Sequence, residues 1–302
     1  MQNRRKFLQM SAAGSAGMFL LGAAGCSPAA AVVDRKSFGV GLQLYTIRDA
    51  MAADALGSLK KLSDMGYKNL ELAGYSNGTF YGFSPVEFKK IVNDLGMDVI
   101  SSHTNVEAAG ITIDNAQLMA DSHAALGAKY CVQPWVEEVD RNIESYKKMI
   151  GDWNEVGRVM KGVGIQFGYH NHNFEFATLE GIVPYYDLFM PELDADLVTM
   201  ELDLFWATKA GQDPVEMFNK YPGRFQLLHF KDMKTVEAPF FEVIKDDVCS
   251  VGAGVIDFKT IMASKEVAGT TYTFVEDDNQ GNGRPFEELE VSIKNLTTTI
   301  LV

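Results

Sequence analysis

The sequence predicts an α/β protein, a single closed (β/α)8 barrel preceded by an export signal. Apolar strand-like runs alternate with helical patterns from about Gly39 onward, and eight such pairs fit in roughly 265 residues. Alternation of this kind builds a parallel sheet covered by helices, and eight units in about 250 residues favour closure over an open doubly wound sheet. The opening strand also lacks the Gly-x-Gly-x-x-Gly turn of a dinucleotide fold. No composition shift marks a second domain, so the barrel is expected over residues 38–302.

Ahead of it, Arg4-Arg5-Lys6 precedes a small and apolar stretch from Met10 to Gly25, then Cys26. That is the order of an export signal. It resembles a twin-arginine signal, and Ala23-Ala24-Gly25-Cys26 resembles a lipoprotein cleavage box, with Ala23 where that box usually has Leu. The stretch is Gly-rich and short for a membrane span, which argues against an uncleaved anchor. Residues 1–25 are therefore expected to be a cleaved signal and residues 26–37, rich in Ala, Pro and Ser, a tether. A lipid on Cys26 would be the membrane link of a periplasmic or cell-envelope protein. Residues 1–25 hold three cations and no acid, so their loss moves the net charge from −13 to −16. A surface this acidic repels phosphate backbones and argues against nucleic acid as a partner. Cys131 and Cys249 remain, both in or beside strands, and read as buried free thiols rather than a disulfide.

The elements follow in order. Gly39–Tyr45 is the first strand, and its helix has Leu56, Leu59, Leu62 and Met65 at three-residue steps before Gly66. Tyr67–Leu72 is the second; Ser84-Pro85 with Glu87 opens a helix that ends at Gly96. Met97–Ser102 is the third, with a helix over about 114–126 stopped by Gly127. Lys129–Gln133 is the fourth, with a long helix from about Asn142 to Lys161. Val163–Tyr169 is the fifth, followed by a short helix near Ile182–Phe189, and Val198–Asp203 is the sixth, followed by a helix from Pro214. Arg224–Phe230 is the seventh, with a long connection to about Gly254 and a weak helix at Phe258–Ser264. Thr271–Glu276 is the eighth, and Pro285 starts the final helix.

A barrel of this type puts its chemistry at the C-terminal ends of its strands. Those ends carry Glu71, His103, His170, His172, Asp203, His229 and Glu276, so four of the five histidines fall there. His170 and His172 are two apart on a strand end and share a face. His123, inside a helical pattern, reads as a surface or packing residue. Imidazoles and carboxylates without a thiolate suit one divalent ion, Mn, Co, Zn or Mg. Such an ion would polarise an oxygen and stabilise an enediolate. Asp203 also reads as a cap for the next turn, Glu276 as the start of a solvated acidic run, and His229 as a satisfied core histidine. Glu71, in an apolar strand, needs a partner or a substrate hydroxyl. His103, His172, Asp232 and Arg284 are further candidates for substrate contact, as is Trp206, whose ring would pack on the apolar face of a sugar. Arg48 and Lys231 are the other cations expected at the mouth, and no Gly-rich loop forms a phosphate cradle. The expected substrate is an unphosphorylated sugar or glycoside.

Tyr-His-Asn-His at 169–172, Glu-Leu-Asp at 201–203, Leu-His-Phe-Lys-Asp at 228–232 and Val-Glu-Asp at 275–277 together resemble the xylose isomerase-like superfamily. That superfamily contains sugar isomerases and epimerases, inosose dehydratases and endonuclease IV, and the resemblance covers about Gly39 to Leu301. It implies one divalent ion held by Glu, Asp, His and Glu from strands five to eight. Asp203, His229 and Glu276 match the last three, and His170 stands where many epimerases have Glu. The two-glutamate proton exchange of those epimerases then loses its symmetry, leaving Glu175, or Lys231 and Asp232, to supply the missing acid or base. The resulting expectation is an exported, metal-dependent isomerase or epimerase that abstracts a proton next to a carbonyl. Its ligands would be His170, Asp203, His229 and Glu276, with Glu276 doubling as base. A lyase or dehydratase on a keto-sugar or 3-keto-glycoside is the runner-up, and a metal-free sugar-binding lipoprotein the third reading. A DNA-repair role is disfavoured by acidity and export, and an oligomer is left open.

Overall fold

The computed structural model describes residues 40–104, 110–235 and 238–302. The expected signal, the tether and Cys26 lie outside the described residues. Eight parallel strands form one sheet: β1 (Gly41–Gln43), β2 (Asn69–Leu72), β3 (Asp98–Ser102), β4 (Tyr130–Gln133), β5 (Gln166–His170), β6 (Val198–Asp203), β7 (Leu227–Phe230) and β8 (Tyr272–Val275). Their order is β3-β2-β1-β8-β7-β6-β5-β4. β1 and β8 pair through Gly41 with Phe274 and Leu42 with Val275. The ring is nearly closed where β3 meets β4, through a bridge between His103 and Val132 and the bonds Thr104 N to Val132 O at 2.9 Å and Lys129 N to Ile100 O at 2.8 Å.

Period two along each strand sorts the side chains. One face meets the helices, where Trp153 of the long helix Ile143–Gly162 stacks on Tyr169 of β5 at 4.7 Å. The other face fills the lumen: Ile100, Tyr130, Val132, Leu227 and Phe274 form an apolar cluster of their own. A Cβ on Gly41 would lie 2.5 Å from Phe274 Cδ1, so the lumen admits only glycine there. Two residues further along β7, Leu227 gives way to His229, and on β8 Phe274 gives way to Glu276. The apolar plug thus supports a polar layer at the C-terminal end.

Local chemistry sets the boundaries. Ser84 and Glu87 close a capping box at the start of Pro85–Asp94, and Gly66 and Gly127 end their helices in the left-handed conformation. β1 is shorter than its expected span because the Gln43 side chain accepts the Tyr45 N–H at 3.0 Å, turning the chain into a 3-10 helix at Leu44–Ile47. Two short antiparallel pairs were not expected: Tyr75–Ser76 with Thr79–Phe80, and Asp232–Met233 with Val248–Cys249 inside the long connection after β7. Cys131 is buried, Cys249 half-buried, and both are free. Among the described residues no helix is long and apolar enough to cross a membrane.

Candidate active site

The C-terminal mouth holds a cavity of about 470 Å³ lined by His103, His170, His172, Glu276 and Asp278 on one side and by Tyr45, Tyr75, Trp135, Glu137 and Lys245 around the rim. Directly beneath lie Asp203, His229 and Lys231, all fully buried.

Asp203 ends β6 and does two things at once. Its Oδ1 caps the helix Leu204–Lys209 by accepting Trp206 N–H at 2.9 Å. Its Oδ2 faces His170 Nε2 at 3.4 Å, His229 Nδ1 at 3.7 Å and Lys231 Nζ at 2.8 Å. Glu276 Oε2 lies 2.9 Å from His229 Nδ1 and 2.7 Å from Lys231 Nζ. One donor atom from each of His170, Asp203, His229 and Glu276 falls within 4.8 Å of the others. Four buried N and O donors with no thiolate form a set that suits a borderline or hard divalent cation, so the residues fit the expected ion.

A second group, His103, His170, Glu201 and His229, overlaps the first. His103 Nε2 is 2.6 Å from Glu201 Oε2. His229 Nε2 is 2.6 Å from Glu71 Oε2, which also accepts Gln43 Nε2 at 2.8 Å. Glu71 therefore holds His229 from behind and is fully buried. The carboxylate at Nε2 turns Nδ1 toward the cluster, as second-layer carboxylates do for metal-binding histidines.

Charge explains the protonation states. Burial is the largest influence on His229 and lowers its pKa, but Glu201, Glu276 and Glu71 outweigh it and raise it well above the ordinary value. Burial likewise opposes ionisation of Asp203 and Glu276, yet Lys231 and the imidazoles hold both carboxyls well below the usual range. Lys231 is held well above its ordinary value by Asp203, Asp278 and Glu276 against the opposing effect of burial. Burial, with His170 and Lys231 nearby, pushes His172 well below its ordinary value, so it is a neutral imidazole. It stands at the cavity wall between Trp135, at 4.7 Å, and Trp206, at 5.3 Å.

The family-level model of the xylose isomerase-like TIM barrel matches residues 59–273. The chain belongs to this family. A protein from Parabacteroides distasonis, described as a sugar phosphate isomerase/epimerase, has a crystal structure that superposes with a TM-score of 0.73 at 29% identity, covering 90% of this chain and 96% of that one. An inosose dehydratase of Lacticaseibacillus casei is 26% identical over 168 residues, 52% of this chain and 55% of that protein. The chain thus spans about half the length of the curated relatives it matches. The IOLI protein, whose structure holds a zinc atom, shares the fold at a TM-score of 0.69 and 15% identity, covering 87% of this chain and 98% of that one.

Within this family barrel, four residues expected at the site are placed elsewhere. Both Glu175 oxygens accept His172 N–H, at 3.1 and 2.9 Å, and Oε1 also accepts the Tyr169 hydroxyl at 2.5 Å. Glu175 is a bracket for the turn after β5 and is not among the residues that line the cavity. Asp232 points away from its neighbour Lys231 and accepts the N–H groups of Met233, Gly252, Gly254 and Ile256. It fixes the loop that carries Gly252, Gly254 and Ile256. Arg284 is exposed and pairs with Glu288 at 3.4 Å. Trp206 is fully buried and packs behind His172, off the cavity lining.

Glu201 was missed, although it stands two residues before Asp203 on the same strand face, a signal present in the sequence. Asp278, Glu137 and Lys245 on the lining were missed as well. His123 is a packing residue: its Nδ1 donates to Met119 O at 2.7 Å and burial lowers its pKa to about 4.

Proposed function

We propose that this protein is a metal-dependent enzyme that enolises an unphosphorylated keto-sugar or keto-glycoside and expels a leaving group, a dehydratase or lyase. The observation that carries this reading is the asymmetry of the cavity wall. A carboxylate, Glu276, and a neutral imidazole, His172, face the cavity, and His170 stands there where many epimerases have the second glutamate. A single carboxylate removes the proton and, once protonated, returns it to the departing oxygen, while the imidazole donates a hydrogen bond to that oxygen. The inosose dehydratase relatives support elimination. Isomerisation or epimerisation, the leading expectation from the sequence, is the second reading, favoured by the description of the Parabacteroides distasonis protein.

His170, Asp203, His229 and Glu276 would hold the ion, which supplies Lewis-acid polarisation of the sugar's carbonyl and adjoining hydroxyl oxygens. Glu276, kept ionised by Lys231 and His229, takes the proton next to the carbonyl. His172, kept neutral, would donate a hydrogen bond to the departing oxygen, and the protonated Glu276 would return its proton there. Tyr45, Tyr75 and Trp135 offer aromatic faces to a ring. Glu137, Glu276 and Asp278 outnumber Lys245 on the lining, which disfavours a phosphate group there. The cell-envelope location rests on the Arg4-Arg5 and Cys26 motifs alone.

Two measurements test the proposal. Metal content of purified protein, beside Asp203→Asn and Glu276→Gln, should show one Mn, Co, Zn or Mg per chain, lost in both variants; metal-free protein after reconstitution refutes the mechanism. Incubation with a 3-keto-glucoside in D₂O, followed by NMR, should show released aglycone. Deuterated sugar with an intact glycosidic bond would assign epimerisation instead.

A further inference from the structure

We propose that Lys231 is a tethered cation that competes with the divalent ion for Asp203 and Glu276, so that ion entry drives its ammonium onto Asp278 at the cavity wall. The inference rests on the metal reading above and concerns how that site is filled.

Lys231 Nζ touches three carboxylates, at 2.8 Å from Asp203 Oδ2, 2.7 Å from Glu276 Oε2 and 2.9 Å from Asp278 Oδ2. Two of these oxygens are the ones that face the imidazoles. Asp203 Oδ1 is committed to the helix cap, so Oδ2 is the oxygen left for both the ammonium and an ion. Glu276 Oε2 is likewise the atom nearest His229 Nδ1. The Lys231 side chain is only 1% exposed, so little water screens it from a doubly charged neighbour. An ion and an ammonium on the same two oxygens repel each other twice as strongly as two unit charges at that distance.

Without an ion the ammonium satisfies the cluster, which leaves the empty site stable. With an ion it has one exit. Asp278 is already within bonding distance and lines the cavity, and a four-carbon lysine stem rotates to exchange acceptors. Metal loading would then turn Lys231 from a counter-ion of the ligands into a cation presented beside the substrate. The rival arrangement makes Lys231 an organiser that holds Asp203 and Glu276 in place for the ion. The two differ in sign, because an organiser's removal weakens metal binding and a competitor's removal strengthens it.

The experiment is Mn²⁺ affinity, by calorimetry and chelator competition, for wild type, Lys231→Met, Asp278→Asn and the double variant. Competition predicts at least about tenfold tighter binding in Lys231→Met. It predicts weaker binding in Asp278→Asn, and a smaller loss from Asp278→Asn when Lys231 is already Met. The ion-free Lys231→Met protein should melt below ion-free wild type and gain more from Mn²⁺. If the variant folds only with Mn²⁺ present, its rate of metal loss to EDTA replaces the titration and should be slower than wild type. Equal or weaker Mn²⁺ binding in Lys231→Met, with wild type binding normally, overturns the competition alone. Failure of every form, wild type included, to bind Mn²⁺ or Zn²⁺ removes the metal reading and this inference with it.

Discussion

Glu175→Gln separates a structural bracket from a catalytic acid. Burial is the main reason that the Glu175 carboxyl is pushed up to about 7 from 4.5, and the bonds from Tyr169 and His172 offset only part of it. Between those values the folded chain keeps a proton that the unfolded chain releases, so folding stability falls as pH rises through the window. Above about pH 7 both states are ionised and the full cost remains. At about 1.36 kcal/mol per pH unit, the gap from 4.5 to about 7 amounts to about 3 kcal/mol. Glutamine keeps an oxygen for Tyr169 and His172 and carries no charge to bury. The variant should therefore match wild type near pH 4.5 and exceed it above pH 7, by roughly 5 °C in Tm for a domain of this size. Denaturation of both proteins across pH 4.5–8.5 reads the difference directly, and turnover at pH 7 should survive in the folded variant. A pH-independent difference, or loss of turnover with stability intact, refutes the assignment of Glu175 as a bracket.

Glu71→Gln leaves His229 without its carboxylate and should lower metal affinity by roughly 10- to 100-fold, measured by chelator competition; unchanged affinity would remove Glu71 from the support of His229. Asp232→Ala strips the acceptor from the N–H groups of Met233, Gly252, Gly254 and Ile256. At about 1–3 kcal/mol for each group left unpaired, a loss of about 3 kcal/mol or more is expected in urea unfolding, and a loss under about 0.5 kcal/mol would show that water replaces the clamp.

The barrel was legible because strand and helix periods differ and each pair ends in a marker such as Gly66 or Gly127. The strand ends were legible for the same reason: His170, His172, Asp203, His229 and Glu276 sit where an apolar run stops. Beyond the strand end the period is lost. Lys231 and Asp232 are adjacent and point to opposite sides, one into the charge cluster and one into the loop at 252–256. Glu175 is the middle residue of a 3-10 turn at Phe174–Phe176, which turns it inward. Arg284 lies past a bend in which Gln280 and Asn282 both have positive φ, and no spacing rule follows a chain through that. Glu201 was hidden differently: it lies inside β6, two residues short of the strand end and on the same face as Asp203.

The sparse seam between β3 and β4 gives the charged residues a second task. With one bridge there, the sheet is close to an open curl whose free edges are β3 and β4. His103, at the tip of edge strand β3, reaches across the hollow to Glu201 on β6, and Glu71 on β2 reaches to His229 on β7. These two struts cross the hollow, tying β2 and β3 on one side to β6 and β7 on the other. The side chains that make the site reactive are thus the same ones that cinch the cylinder, and a substitution that loosens one strut acts on the shape of the mouth as well as on its chemistry.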